Sequence, residues 1–208
     1  MNADLPNQLA ARLKSALPGW AAQSSFQPEL SFGRHQGPAH PGARQAAVLI
    51  LLYPRSDAWH LPLIVRPDHM PDHAGQVSLP GGTIEPGETS REAALREYSE
   101  ELGAPADGVQ ILGELSELYL FASNFQVAPW VGSVTALPAW QPNRNEVDTL
   151  LEIPVSHFLD PANRHFIERK QRGLRFKAPC FNWQSHRIWG ATSMVLAELA
   201  ASLAGCSL

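Results

Sequence analysis

The sequence is poor in cysteine, in long apolar runs and in charge, and each shortage excludes a class of protein. Its two cysteines, Cys180 and Cys206, have no Cys-x-x-Cys spacing, so we expect reduced thiols in a cytoplasmic protein rather than a disulfide scaffold. The longest apolar run, residues 46–53, is far shorter than the ~20 residues of a membrane-spanning helix. Residues 1–20 lack a basic start and an apolar stretch, so we expect no secretory signal.

Charge is scarce and unevenly placed. Charged residues make up 17% of the chain, and 20 acidic against 16 basic side chains give a net charge of −4. This balance argues against a basic nucleic-acid binder, so we expect neither nucleic acid nor a membrane as a partner. Six of the acidic residues lie within residues 85–101, here called the acidic segment, with only Arg91 and Arg96 among them. The acidic segment therefore accounts for the whole net charge.

Hydrophobic patterning predicts one α/β domain with a mixed sheet, preceded by an N-terminal part of different composition. Leucines at helical spacing predict a helix over residues 7–16, and residues 21–45, rich in Pro, Gly, Gln and Ser, predict an extended lead-in. We therefore divide the chain into residues 1–45 and 46–208. Strands are predicted at residues 46–53, 61–66, 76–79, 109–115, 125–134, 146–153 and 174–181, and a helix at 191–204. Residues 54–57 suggest a hairpin, and Pro129 predicts an edge or a bulge.

The acidic segment contains the signals of a turn followed by a helix. Residues 85–88 read Glu-Pro-Gly-Glu, which suits a type II turn. Thr89 and Glu92 have the spacing of a capping box, and Gly103 is a suitable residue after the last turn, so we predict a helix over residues 90–102. Gly81 and Gly82 precede this turn and can bring backbone groups close to an ion or a phosphate.

This helix has two different faces. We expect the face of Arg91, Ala94, Leu95, Tyr98 and Leu102 to pack on the core. On another face Glu97, Glu100 and Glu101 lie close together in the last turns, where their repulsion and the helix dipole both disfavour them. A bound cation explains this arrangement, and oxygen ligands without Cys or His indicate Mg²⁺, Mn²⁺ or Ca²⁺. Because Mg²⁺ commonly bridges carboxylates to phosphates, the pattern indicates phosphate chemistry.

Residues 82–104 resemble the signature of the Nudix hydrolases, G-x5-E-x7-R-E-U-x-E-E-x-G-U, where U is a bulky aliphatic residue. The fixed residues that match are Gly82, Glu88, Arg96, Glu97, Glu100, Glu101 and Gly103, whereas Tyr98 and Ala104 stand at aliphatic positions. The resemblance implies an α/β/α sandwich with a central mixed sheet and Mg²⁺- or Mn²⁺-dependent cleavage of a diphosphate linked to a nucleoside. It implies metal-ligand roles for Glu97, Glu101 and then Glu100, with Glu88 and Arg96 shaping the loop and helix.

The flanking residues resemble the coenzyme A pyrophosphatase branch of this family, whose pattern is L-L-T-x-R-[SA]-x3-R-x3-G-x-V-x-F-P-G-G. The matching residues are Leu63, Arg66, Gly75, Val77, Pro80, Gly81 and Gly82. The departures are Pro62, Ile64, Pro67, Pro71 and Leu79, and Pro71 replaces an arginine of the pattern. The implied reaction is cleavage of coenzyme A to 3′,5′-ADP and 4′-phosphopantetheine. ADP-ribose, NADH and dinucleoside polyphosphates are the alternative substrates.

Several roles stay open at this level. Glu146 could be the base or an extra ligand, or a solvated charge at a strand edge, and Glu101 or Glu100 could be the base instead. Arg66 could bind a substrate phosphate together with Gly81 and Gly82, or be an ordinary surface arginine. A Nudix-fold module that binds a nucleotide without hydrolysing it is the alternative of a different class, which the complete glutamate set disfavours. The resemblance also implies a possible homodimer.

Overall fold

The computed structural model describes residues 2–31, 34–35, 38–70, 73–171 and 173–208. In these ranges the α-helices are α1 (Leu5–Leu13), α2 (Trp20–Gln23), α3 (Ser90–Leu102), α4 (Ser156–Leu159) and α5 (Ala191–Ser202). The strands are β1 (Arg44–Arg55), β2 (Ala58–Val65), β3 (Val77–Ser78), β4 (Gly81–Thr83), β5 (Gln110–Glu114), β6 (Leu118–Leu120), β7 (Phe125–Ser133), β8 (Thr149–Pro154), β9 (Arg164–Gln171), β10 (Leu174–Trp183) and β11 (His186–Trp189). None of the helices within these ranges is long and apolar enough to cross a membrane.

The first eight strands form one mixed sheet built around β1. Strand β1 runs parallel to β7 and antiparallel to β2 and β4. Strands β3 and β8 extend the sheet beyond β2, and β5 and β6 pair with β7 on its other side. Strands β9, β10 and β11 form a separate antiparallel sheet in the order β11-β10-β9. The predicted mixed sheet is therefore confirmed.

Helices cover both faces of the main sheet because the side chains of β1 alternate between two apolar layers. Ala47, Leu49 and Leu51 pack with α3, whereas Ile50 and Leu52 pack with α1 and α5. Alternation of this kind follows from the period of two residues along a strand. The predicted α/β/α sandwich is confirmed, and α3 lies against β1 with its last turn near β4.

The N-terminal part is more helical than its composition predicts. Helix α1 buries Leu5, Leu9 and Leu13 in the layer that also contains α5. The extended conformation expected for residues 21–45 is wrong at α2 and at two turns of 3₁₀ helix, Ser24–Phe26 and Glu29–Ser31. Packing overrides composition here, since Phe26 is buried and stacks on Phe181 with ring centroids 4.2 Å apart. The division at residue 45 stays a prediction.

Two local predictions about strands have different outcomes. The hairpin between β1 and β2 is confirmed, and its turn is made by Ser56 and Asp57, both with positive φ. An edge position for Pro129 is wrong, because β7 lies between β1 and the strands β5 and β6. The alternative, a bulge, is present nearby, since the pairing of β5 with β7 shifts register between Ile111 and Gly113. Pro129 is tolerated where the neighbouring strand changes from β5 to β6. There its carbonyl accepts a hydrogen bond from the Leu115 amide at 2.9 Å.

Candidate active site

Helix α3 begins and ends at the residues that the sequence predicts. The Glu92 amide donates to Thr89 Oγ1 at 3.2 Å, and the Thr89 amide donates to Glu92 Oε2 at 2.8 Å. This reciprocal capping box satisfies two amides that the helix itself leaves unpaired. At the other end Gly103 adopts a left-handed φ of 64° and its amide donates to the Ser99 carbonyl. Both ends of the helix are therefore fixed by local sequence.

Gly81 and Gly82 bring the backbone of β4 against two glutamates of α3. The Gly81 amide donates to Glu101 Oε2 at 2.9 Å. A Cβ atom at Gly81 would collide with the Ala47 carbonyl on β1, and one at Gly82 would overlap the Glu97 carboxylate. Glycine is required at Gly81, where the backbone of β1 occupies the space of a side chain, whereas a side chain at Gly82 would displace the Glu97 carboxylate.

The two glutamates nearest this loop are poorly solvated. Glu101 is 2% exposed, and burial raises its pKa to about 8. The Gly81 hydrogen bond and the charge of Arg66 oppose this shift in the pKa, whereas the charges of Glu97 and Glu146 add to it. Burial also raises the pKa of Glu97, against the effect of its hydrogen bond with Arg96. These carboxylates therefore lie where a positive charge would stabilise their ionised forms.

Arg96 holds the turn and the helix together. Its Nε and Nη2 donate to the two oxygens of Glu88 at 2.9 and 3.1 Å, and Nη2 also donates to the Thr83 carbonyl. Its Nη1 donates to Glu97 Oε1 at 2.9 Å and to Glu100 Oε2 at 3.0 Å. The hydrogen bond with Glu88 is the main cause that raises the pKa of Arg96. Arg96 is thus placed to orient the glutamates.

A loop between β7 and β8 brings Glu146 to the same place. The Asn143 amide donates to the Glu101 carbonyl at 2.9 Å, and the Asn143 side chain donates to Glu146 Oε1 at 3.1 Å. The Gln141 amide is hydrogen-bonded to the Leu102 carbonyl at 2.9 Å. The loop therefore takes its position from the end of α3. Asn143 is not among the predicted site residues, and its only signal in the sequence is its place three residues before Glu146.

Arg66 lies beside the carboxylates, directly after β2. Its backbone amide donates to the Gln76 carbonyl and its carbonyl accepts from the Gly75 amide, both at 3.0 Å. Its Nε is buried and has no hydrogen-bond partner in the described part of the chain. Its charge lowers the pKa of Glu101, so Arg66 is close enough to interact with that carboxylate, and its binding of a phosphate stays a prediction. Pro71, which replaces an arginine of the coenzyme A pattern, lies outside the described residues.

The predicted core face of α3 needs one correction. Arg91 is exposed, whereas Glu101 is buried together with Ala94, Tyr98 and Leu102. The buried face is rotated towards Glu101 because the glycine loop of β4 approaches that side of the helix. Glu100 lies outside this face, with its side chain 54% exposed. The three glutamates that the sequence grouped together therefore differ strongly in burial.

The donor set suits a divalent cation, although it is not arranged as a finished cage. Within the described ranges no group of three or more His, Cys, Asp or Glu side chains is placed to hold a metal ion. Arg96 instead bonds both Glu97 and Glu100. Glu101 is buried and Glu97 is half-buried, and the charge of Glu146 raises the pKa of both, so their oxygens are hard ligands of the kind that Mg²⁺ and Mn²⁺ prefer. These residues therefore fit such an ion.

Comparison with known proteins gives consistent results. Residues 43–169 match the NUDIX domain family. The chain is 37% identical over 159 residues to the uncharacterized Nudix hydrolase NudL of Yersinia enterocolitica, covering 76% of this chain and 80% of that protein. The Nudix hydrolase RenU of M. smegmatis has a TM-score of 0.54 at 17% identity, covering 83% of this chain and 94% of that one. A MutT/nudix family protein of Enterococcus faecalis has a TM-score of 0.54 at 13% identity, covering 98% and 75%. The two solved structures share the fold.

Proposed function

The chain belongs to the Nudix hydrolase family, and on that premise we propose that it hydrolyses the diphosphate linkage of coenzyme A or its derivatives with Mg²⁺ or Mn²⁺. The products would be 3′,5′-ADP and 4′-phosphopantetheine. One observation carries the proposal: the Gly81 amide of the glycine loop bonds Glu101, and the charges of Glu97, Glu146 and Arg66 all act on that carboxylate. Nudix hydrolases generally use divalent metal ions, which agrees with this set of oxygen ligands.

The three glutamates in the last turns of α3 have different positions in the proposed site. Glu97 and Glu101 would hold the ion from the buried side, and Glu100 would complete the set from the exposed side. A divalent ion bound there would neutralise the charge of the diphosphate and lower the pKa of a water molecule. Arg96 acts on the reaction through Glu97 and Glu100, so it is a positioning residue rather than a group that contacts substrate.

Glu146 is our choice for the general base. Water attacks one phosphorus of the diphosphate, the bond from that phosphorus to the bridging oxygen breaks, and the proton of the water passes to a carboxylate. Glu146 is on a loop that Asn143 fixes, outside the hydrogen-bond network of Arg96. Glu101 is less suited, because its Oε2 already accepts the Gly81 amide. The Arg66 guanidinium would stabilise the charge on the phosphate oxygens.

Coenzyme A is favoured by the residues around the glycine loop. Leu63, Arg66, Gly75, Val77 and the run 80–82 match the pattern of the coenzyme A branch. In the fold these residues are neighbours, since β2 pairs with β3 and Arg66 pairs with Gln76. Of the matched residues, Gly81 bonds Glu101, Gly82 lies against Glu97, and the charge of Arg66 acts on Glu101.

The proposal is tested by incubating the chain with coenzyme A, ADP-ribose, NADH and diadenosine tetraphosphate, each with Mg²⁺ or Mn²⁺. Products are identified by chromatography. We expect 3′,5′-ADP and 4′-phosphopantetheine from coenzyme A, and no product when the metal is chelated. Glu101→Gln should abolish cleavage, whereas Glu114→Gln, a change at an exposed position on β5, should retain it.

Other outcomes would replace the proposal. Fast cleavage of ADP-ribose without turnover of coenzyme A would change the substrate but keep the enzyme class. Nucleotide binding without cleavage of any compound would favour a binding module. The cytoplasmic location, the small-molecule nucleotide as partner and the homodimer stay predictions.

A further inference from the structure

A small cationic pocket lies between the segment that precedes the glycine loop and the three-stranded sheet. Its volume is about 250 Å³, and residues 74–77 form one wall. The other wall comes from β9 and from the β10–β11 hairpin, with Arg169, His186, Arg187 and Trp189. The two walls meet because β11 packs against β3. No acidic side chain lines this pocket within the described part of the chain.

The two arginines of the cationic pocket are held without an acidic partner. The Arg169 guanidinium lies over the Trp189 ring, 4.4 Å from its centroid. Arg187 Nη1 donates to two backbone carbonyls, those of Gln184 at 3.4 Å and His186 at 3.1 Å. Among the described residues neither arginine forms an ion pair with a carboxylate. Both guanidinium groups line one cavity without a neutralising carboxylate, so an anion bound there would be stabilised.

The cationic pocket is connected to the candidate active site through two routes. Val77 lines the pocket, and Gly81, whose amide bonds Glu101, is four residues further along the chain. Four residues span at most about 14 Å. Arg66 makes the second connection. Its backbone is hydrogen-bonded to Gly75 and Gln76 in the pocket wall, and its charge lowers the pKa of Glu101. The pocket wall and the glycine loop therefore belong to one short stretch of chain.

We propose that the cationic pocket binds a phosphomonoester of the nucleotide substrate, separate from the diphosphate that is cleaved. The inference rests on the proposed function for the position of the diphosphate. A phosphate dianion suits two guanidinium groups because each can donate parallel hydrogen bonds to its oxygens. Coenzyme A carries such a group as its 3′-phosphate, whereas ADP-ribose, NADH and diadenosine tetraphosphate carry none. The pocket therefore selects among the substrates that the carboxylates could cleave.

The kinetic test compares coenzyme A with dephospho-coenzyme A, which differs by the 3′-phosphate alone. We expect the unmodified protein to show a kcat/KM about tenfold or more higher for coenzyme A, because charge-assisted hydrogen bonds are lost with the phosphate. The double variant Arg169→Gln/Arg187→Gln should lose this preference and keep its kcat/KM for dephospho-coenzyme A. Arg175→Gln, an exposed charge on β10, is the matched control and should keep the preference. If the double variant fails to fold, Arg187→Gln alone serves, since that side chain bonds only backbone carbonyls among the described residues.

Equal kcat/KM values for the two substrates, or an equal loss for both in the variant, would overturn the proposal. A binding experiment separates this failure from failure of the proposed function. Calorimetry with adenosine 3′,5′-bisphosphate and AMP needs no cleavage. If no compound is hydrolysed, the proposed function fails, and the binding result alone then decides whether the pocket binds a phosphomonoester. Tighter binding of the bisphosphate that the variant loses supports the pocket, and equal binding of the two nucleotides rejects it.

Discussion

The amide of Gly81 donates a hydrogen bond to Oε2 of Glu101 over 2.9 Å, across 20 residues of sequence. This bond joins the start of β4 to the last turn of α3, and the neighbouring Gly82 is in contact with the carboxylate of Glu97. The positions of Glu97 and Glu101 therefore depend on the backbone of the glycine loop. Small changes in that loop should affect catalysis before they affect the fold.

The first prediction concerns Gly82→Ala. The new Cβ would overlap the Glu97 carboxylate, which must then move away from Glu101. We expect kcat to fall roughly 10- to 100-fold, because displacements of about 1 Å in a reacting site have effects of this size. Steady-state kinetics on the cleaved substrate measure it. Gly108→Ala is the control, since a Cβ at Gly108 meets nothing within 4 Å. Unchanged kcat in Gly82→Ala would contradict a dependence of the reaction on the position of the Glu97 carboxylate.

The second prediction concerns Asn143, which donates to both Glu101 and Glu146. Asn143→Ala keeps the backbone bond to Glu101 but leaves Glu146 without its side-chain donor. We expect kcat to fall about tenfold with little change in KM, because a general base contributes to the chemical step rather than to binding. Asn145→Ala, two residues away and exposed, is the control. A rise in KM at constant kcat would instead assign Asn143 to substrate binding.

The third prediction concerns stability. Glu198 on α5 is fully buried and accepts hydrogen bonds from the Gly19 and Ser116 amides and from the Gln23 side chain, at 3.0, 3.1 and 2.7 Å. Glu198→Ala leaves one buried and two partly buried donors without this acceptor, so we expect the free energy of unfolding to fall by about 3 kcal/mol or more. Urea denaturation measures this loss. Glu114→Ala is the control, and a loss below about 1 kcal/mol for Glu198→Ala would contradict the interpretation.

The fourth prediction concerns alkaline pH. Burial raises the pKa of Tyr98 from its ordinary 10.0 to about 12. Between these values the unfolded chain loses the proton and the folded chain keeps it, so the free energy of unfolding must fall as pH rises. The contribution of this one group is up to about 1.4 kcal/mol per pH unit. Tyr53, whose pKa burial also raises, acts in the same direction.

Tyr98→Phe isolates the contribution of Tyr98 to this pH dependence. The variant should show a smaller decrease in unfolding free energy above pH 10 than the unmodified protein, measured by denaturation at several pH values. Tyr119→Phe, on β6, should retain the Tyr98 contribution. Equal slopes for Tyr98→Phe and the unmodified protein would mean that the Tyr98 hydroxyl is solvated.

Local patterns of sequence predicted the part of the site that depends on neighbouring residues. The capping box of Thr89 and Glu92 and the left-handed Gly103 fix both ends of α3, because these interactions span three or four residues. The same pattern placed Glu97 and Glu101 close together. The exposure of Arg91 and the burial of Glu101 could not be predicted in this way, since helical periodicity does not say where the neighbouring strands lie.

The sequence by itself therefore determined the family, the helix with its glutamates and the glycine pair, because each of these depends on residues that are close together along the chain. The tertiary structure alone decided which carboxylate is buried, why Arg66 acts on Glu101 and how Asn143 positions Glu146. It also assembled the cationic pocket from segments about a hundred residues apart. Burial and electrostatic coupling depend on distances in space, and folding makes neighbours of residues that the sequence separates.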